Sequence, residues 1–317
     1  MKLQSGSNRN KTDNNPFVTV LIPVFNGAIH LKETVSSIYK STYRNFEIIL
    51  VDDGSTDASK ALCKKLTKRY AKVRFYSFER NKGLGRVLNF GLKKAHGEFI
   101  CRINQDDIML PNRIQTQVRF LQTHTDIVAV GSSITIFNDT GSIETIYFPE
   151  KDTEIKKIWL MLSPFSDPSV MYRKSAVVKA GGYDQKYWPA DDVHLWYRLG
   201  LTGKLANLKK PLVKVRWHNQ AASIKFFRIN AHKTFQVHMW ADQYVQKAPL
   251  YVHIFWICQF IAGLTFSPEF NWNTYRVLKK VIRKMQSGYL RFRSIFQNTI
   301  QEKTVPNHPK KLNLSGV

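Results

Sequence analysis

Short apolar runs alternate with stretches of helical periodicity through the first hundred residues. FVTVLIPVF (17–25), FEIILVDD (46–53), VRFYSFE (73–79) and EFICRIN (98–104) are rich in β-branched and aromatic residues and predict strands. Between them, HLKETVSSIYKS, DASKALCKKLTKRYAK and GLGRVLNFGLKKAHG repeat their apolar residues at helical spacing. The resulting βαβαβαβ order predicts an α/β fold with a mainly parallel, doubly wound sheet. Sheets of that kind bind ligands beyond the carboxyl ends of their strands.

Acidic residues cluster at those ends. The second run closes on Asp52 and Asp53, followed by Gly54, Ser55, Thr56 and Asp57. Capping of the next helix by Ser55 and Asp57 accounts for part of the pattern, although a cap needs only one such side chain. The fourth run, CRINQDDIMLPNRI, sets Asp106 and Asp107 between a strand and a helix start marked by Pro111. Two adjacent carboxylates repel each other unless a cation lies between them. A hard divalent ion, Mn²⁺ or Mg²⁺, takes oxygen ligands and leaves positions for a substrate diphosphate. An acidic turn in solvent is the plainer alternative. The first strand is followed by one glycine, not a dinucleotide fingerprint, and GxxxxGK[ST] occurs nowhere, so nicotinamide chemistry and P-loop hydrolysis lose support.

The chain of 317 residues is 43% hydrophobic, enough for a sizeable core, and its formal net charge of +25 points to an anionic partner: nucleic acid, an acidic membrane surface or a phosphorylated substrate. Cys63, Cys101 and Cys258 show no ligand spacing, fit a reducing compartment and read as buried apolar residues. The polar start MKLQSGSNRNKTDNNP lacks the apolar core of a signal peptide, and a cytoplasmic location is expected. After residue 225 acids almost vanish, and the apolar stretch 249–266 precedes the basic YRVLKKVIRKMQSGYLRFRS (275–294). His253 and Gln259 interrupt the apolar stretch, a poor spanning segment. A helical pair on an anionic cytoplasmic leaflet is expected, with a hairpin packed on the preceding domain as the alternative.

The motifs IPVFNG, VDDGSTD, ERNKGLGRVLNFGLKKAHGEFICRINQDDIMLPNRI, GGYD and ADDVHLWYRL, in this order and spacing, resemble the family 2 glycosyltransferases over residues 17–220. The resemblance implies a GT-A fold and inverting transfer of a sugar from a nucleotide-diphospho-sugar, usually a UDP-sugar, to a hydroxyl. It implies Pro23, Val24 and Asn26 in the nucleoside pocket, Asp52 or Asp53 on the base or ribose, and Gln105 and Asp106 beside the nucleotide-sugar. Asp106 and Asp107 match the metal motif, His218 in VRWHNQAAS matches a histidine near the metal or diphosphate, and residues 163–175 match the segment that approaches the acceptor. Of the acids in ADDVHLW, Asp192 is implied as the base, with Asp191 where relatives usually carry Glu. Many relatives read Asp-x-Asp-Asp where this chain has Asn104-Gln105-Asp106-Asp107, and asparagine brings no charge to a metal.

The chemistry asks for the same parts. The departing diphosphate needs cationic stabilisation, for which Lys82 and Arg86 in RNKGLGR are candidates beside the metal, and the attacking hydroxyl needs a general base. Asp191 and Asp192 open a helix with Val193, Leu195, Trp196 and Leu199 facing inward. The expected organisation is a tail at 1–16, a catalytic domain at 17–224, a basic and apolar helical region at 225–299 and a tail at 300–317. The expected acceptor is a saccharide, lipid-linked, in cell-surface polysaccharide or lipopolysaccharide assembly at the inner face of the membrane. A nucleotidyltransferase also pairs acids with a divalent ion, and a non-catalytic binding protein of the same fold is the other alternative. A nucleic-acid protein would explain the charge but not acids at three sites on one sheet edge.

Overall fold

The computed structural model describes residues 15–218, 222–267, 270, 271 and 274. Residues 1–14, the basic stretch 275–294 and the tail 300–317 lie outside them. By internal contacts the chain divides into Met1–Leu264 and Thr265–Val317, and nearly all described residues belong to the first unit.

The four expected strands are present as β1 (Val18–Val24), β2 (Phe46–Asp52), β3 (Val73–Ser77) and β4 (Phe99–Arg102). Between them run α1 (Leu31–Tyr39), α2 (Ser59–Arg69) and α3 (Leu84–Lys94). These strands lie parallel in the order β3-β2-β1-β4, with Val24 opposite Asp52 and Asp52 opposite Ser77, so three carboxyl ends align at one edge. Side chains alternate as strand geometry demands: Ile48 and Leu50 enter the core beneath α1 and α2, while Ile49 and Val51 enter the core on the α3 side.

Past β4 the sheet becomes mixed. β5 (Ile108–Met109), α4 (Arg113–Thr123), β6 (Ile127–Asn138), β7 (Gly141–Ile146), α5 (Asp152–Ile158), β8 (Met171–Arg173), α6 (Lys174–Lys179), α7 (Asp191–Thr202) and β9 (Lys204–Arg216) follow in chain order. β8 pairs antiparallel with β4 and β6, β9 runs parallel to β6, and β7 is a side strand on β6. The two-residue β5 pairs antiparallel with β9, Ile108 opposite Lys214, and thereby holds the Asp106–Asp107 turn against the end of β9.

After α8 (Ala222–Lys225), helices α9 (Phe227–Tyr244) and α10 (Leu250–Thr265) complete the described chain. Val237 and Ala241 of α9 and Val252 and Trp256 of α10 are buried in the same core as Trp196 and Tyr197 of α7. Trp256 Nε1 donates to the Leu160 carbonyl at 2.6 Å. The expected boundary at 224/225 falls inside α8, and the two helices that follow share a core with α7. Among the described residues no helix is long and apolar enough to cross a membrane. Cys63 and Cys101 are buried as expected, but Cys258 is exposed, because it lies on the outer face of α10.

Candidate active site

The acids of β2 organise the loops around them. Asp52 is fully buried; its Oδ2 accepts from Ser77 Oγ at 3.0 Å and its Oδ1 from the Ser55 amide at 3.3 Å. Asp53 reaches across the edge and accepts from the amides of Lys82 at 2.6 Å and Gly83 at 3.0 Å. Burial pushes the Asp53 carboxyl above its ordinary range against the pull of those two donors. Gly54 between the loops has φ +69°, and an added Cβ would lie 2.5 Å from the Arg80 carbonyl carbon, so only glycine lets the two backbones approach.

The loop after β1 is stitched to the same place. Asn26, with φ 50°, accepts through Oδ1 from the Thr56 amide at 2.9 Å, and its own amide donates to Ser55 Oγ at 3.0 Å. Gln105 pairs like a strand with Phe25, accepting from its amide at 2.9 Å and donating to its carbonyl at 3.0 Å. The side chain of Val24 is fully buried in the core, so its backbone alone borders the edge, whereas Pro23 is half-buried there. The side chain of Arg86 is exposed and that of Lys82 half-buried, with no ion pair to either among the described residues.

Asp106, Asp107 and His218 converge at the turn held by β5 and β9. His218 Nε2 lies 2.8 Å from Asp106 Oδ2, and that hydrogen bond holds the imidazole above its ordinary pKa. Asp107 Oδ1 accepts from the Arg216 amide at 3.0 Å, while its Oδ2 is buried without a hydrogen-bond partner. Burial, with the charge of Asp106 next, pushes the Asp107 carboxyl up to about 8. A buried acceptor without a donor is costly, and a cation would relieve it. Carboxylate oxygens suit Mg²⁺ or Mn²⁺. Among the described residues no group of three or more His, Cys, Asp and Glu side chains forms a ready cage for a metal, so further ligands would have to come from bound substrate.

A second acidic group lies at the start of α7. Helix α7 is capped by Ala190 and not by either acid. Asp191 is 2% exposed, its Oδ2 unpartnered, and a Cβ on Gly85 would lie 3.1 Å from that oxygen. Asp192 is half-buried, and its Oδ1 accepts from the Val193 amide at 2.7 Å. Burial, aided by the charge of Asp167, raises Asp191 to about 7 and Asp192 well above the usual carboxylate range. The turn before the helix is clamped from two sides: Arg198 donates to the Gly182 carbonyl at 2.6 Å, and Asn89 of α3 exchanges hydrogen bonds with the Tyr183 backbone at 2.7 and 2.9 Å. Gln185 then accepts from the Gly85 amide at 2.9 Å. The loop at residues 82–85 is therefore held between Asp53 on one side and Gln185 with Asp191 on the other.

Three residues of this arrangement escaped sequence reasoning. Arg102 is 1% exposed and pairs with Asp167 Oδ2 at 3.1 Å and Asn104 Oδ1 at 2.8 Å. Asp167 comes from SPFSDPS, whose approach to the site depends on β8 pairing beside β4. Arg216 donates its amide to Asp107 in the Asp106–Asp107 turn and lies over the Phe137 ring, 4.5 Å from its centroid. The one signal available was a charged residue, Arg102, inside an otherwise apolar strand, since a buried charge demands a partner.

The sheet, its acidic carboxyl edge and the helices on both faces define a GT-A glycosyltransferase fold. The chain belongs to glycosyl transferase family 2, whose family model matches residues 19–181. It is 31% identical over 204 residues to the amylovoran biosynthesis glycosyltransferase AmsE of Erwinia amylovora, covering 62% of this chain and 75% of that protein. It is 29% identical over 220 residues to the UDP-Gal:α-D-GlcNAc-diphosphoundecaprenol β-1,3-galactosyltransferase of Escherichia coli, covering 67% of this chain and 78% of that protein. Among solved structures it resembles the mannosyltransferase PcManGT of Pyrobaculum calidifontis in complex with GDP-Man and Mn²⁺, with TM-score 0.58, 18% identity, and coverage of 83% and 80%.

Proposed function

We propose that this glycosyltransferase is inverting and moves a hexosyl group from a UDP-sugar to a hydroxyl of a lipid-linked saccharide. The observation that carries this reading is the 82–85 loop held between two acids at the sheet edge: Asp53, which accepts from the Lys82 and Gly83 amides, on one side and Asp191, against Gly85, on the other. A UDP donor and a lipid-linked acceptor are supported by the Escherichia coli relative, whose name specifies both. Such an acceptor puts the enzyme at the inner face of the membrane as a peripheral protein.

Asp106 and Asp107, with His218 beside them, would supply part of the ligand set of the divalent ion, Mn²⁺ or Mg²⁺, the substrate diphosphate supplying the rest; when bound the ion neutralises charge on the departing diphosphate. Asp52 and Asp53 with Asn26 and Pro23 frame the nucleoside end, Gln105 fixes the loop that carries it, and Lys82 and the exposed Arg86 supply mobile positive charge near the phosphates. Asp192 takes the proton of the acceptor hydroxyl as that oxygen attacks the anomeric carbon, because of the two acids in α7 it keeps access to solvent. Its raised pKa makes it a stronger base than an ordinary carboxylate. Asp191, packed on Gly85, positions the loop.

Incubation with a UDP-sugar and a saccharide acceptor tests the reading. It requires release of UDP and a product whose anomeric configuration by NMR is opposite to that of the donor. Release of pyrophosphate, or retention of configuration, refutes it.

A further inference from the structure

Helix α10 has two apolar faces, and among the described residues only one is covered. Val252, Trp256 and Gly263 face inward, and Gly263 is needed because a side chain there would collide with Ala231 of α9. On the other side Leu250, Ile254, Ile257, Ile261 and Leu264 recur at alternating spacings of four and three, the period of one helix face. They are exposed, Leu250 by 75%, Ile254 by 53% and Ile261 by 52%. Tyr251 extends the same face. Contiguous exposed aliphatic surface of this kind marks an interaction site.

The chemistry around the stripe selects its partner. No Asp, Glu, Lys or Arg occurs between residues 248 and 268, so the stripe lacks the charged flanks that set register between paired helices. Over residues 225–317, however, fourteen Lys and Arg stand against three acids, Asp242, Glu269 and Glu302. An uncharged aliphatic face within a strongly basic region matches a surface that is apolar inside and anionic outside. From Leu250 to Leu264 the stripe spans about 21 Å, short of a hydrocarbon core of about 30 Å, so it suits a helix lying in the plane of the bilayer.

We propose that the outer face of α10 docks the enzyme on an anionic membrane surface, with Ile254, Ile257 and Ile261 in the acyl boundary. The stripe is wired to the helix that carries Asp192. His194, in the first turn of α7, packs on Tyr187 at 4.1 Å and on Trp240 of α9 at 4.4 Å between ring centroids; His238 of α9 stacks on Trp256 of α10 at 4.9 Å. A bilayer holding α10 therefore fixes the height of the α7 N-terminus above the lipid. The inference deepens the peripheral location proposed above and rests on it; the donor does not enter.

The test is flotation of the full chain with vesicles of phosphatidylglycerol and phosphatidylcholine, no sugar donor present. Wild type floats, and Ile254→Glu/Ile257→Glu/Ile261→Glu loses vesicle binding by more than about tenfold at unchanged melting temperature. Should the triple variant not fold, Ile254→Ser/Ile261→Ser carries the same expectation. Variants that float like wild type overturn the proposal, as does wild type floating equally on phosphatidylcholine alone. Wild type that stays unbound but sediments as a dimer broken by the variant assigns the stripe to a second copy and also overturns it. Vesicle binding by a protein that transfers no sugar leaves the docking face standing and refutes the transfer reading alone.

Discussion

Arg102 and Asp167 form an ion pair, Nη2 to Oδ2 at 3.1 Å, with the arginine almost wholly buried. The pair ties the strand end that bears Asn104 to the acidic group at the start of α7, since Asp167 is a main source of repulsion on both Asp191 and Asp192. Asp167→Asn should leave Arg102 buried without a countercharge and cost about 3–5 kcal/mol, read as a fall in melting temperature. In the surviving folded enzyme Arg102 acts on Asp191 and Asp192 undiminished. The acidic limb of the kcat/KM profile should move to lower pH; an unmoved limb would show that Asp167 has no hold on the base.

Asp192→Asn should abolish transfer while leaving donor affinity unchanged. Isothermal titration with UDP-sugar and a rate assay on the same preparation separate the two effects. Retention of most activity would reassign the base.

pH should act on activity and stability in opposite directions. Burial pushes Asp191 up to about 7 and raises Asp192 well above the usual carboxylate range. A base active only when deprotonated loses activity as pH falls. For acids whose folded pKa is raised, the stabilising contribution is full below the unfolded value near 4 and lost as pH rises through the folded one. Melting temperature should therefore decline between about pH 5 and 8 while kcat rises, which thermal scans and initial rates across that range will show.

The parallel half of the sheet was legible from residues 17–104 because each strand there is a short apolar run with its helix beside it in sequence. What followed depended on distant pairings. The register of β6 with β9 and the antiparallel insertion of β8 carry Asp167 and Arg216 to the site, and local periodicity holds no trace of either. Asp52, Asp53, Asp106, Asp107, Asp191 and Asp192 were legible as doublets at element ends, although their neighbours were not: that Gln105 clasps the Phe25 backbone, or that Asp191 abuts Gly85, follows from loop closure. In α10 apolar residues occupy both sides, so periodicity alone gave no reason for Trp256 to turn inward and Ile257 outward.

Trp256→Ala measures how far the helical hairpin belongs to the catalytic domain. Loss of its ring and of the hydrogen bond to Leu160 should cost about 3–5 kcal/mol in a single cooperative unfolding transition. Two separate transitions would indicate that α9 and α10 fold apart from the sheet.

Asp107→Ala removes a buried, partly unsatisfied carboxylate, so in chelator the variant should melt no lower than wild type. It should nevertheless lose the gain in stability that Mn²⁺ and nucleotide together confer. An undiminished gain would place the metal elsewhere.

The most direct measurement is the melting temperature of wild type and Asp107→Ala against UDP, GDP and dTDP and their sugars, with Mn²⁺, with Mg²⁺ and with chelator. A ligand that binds only the folded state raises its stability. Wild type should be stabilised by uridine nucleotides when a divalent ion is present, and Asp107→Ala should not. No shift with any nucleotide under any metal condition would contradict the assignment of this acidic edge to a nucleotide-sugar.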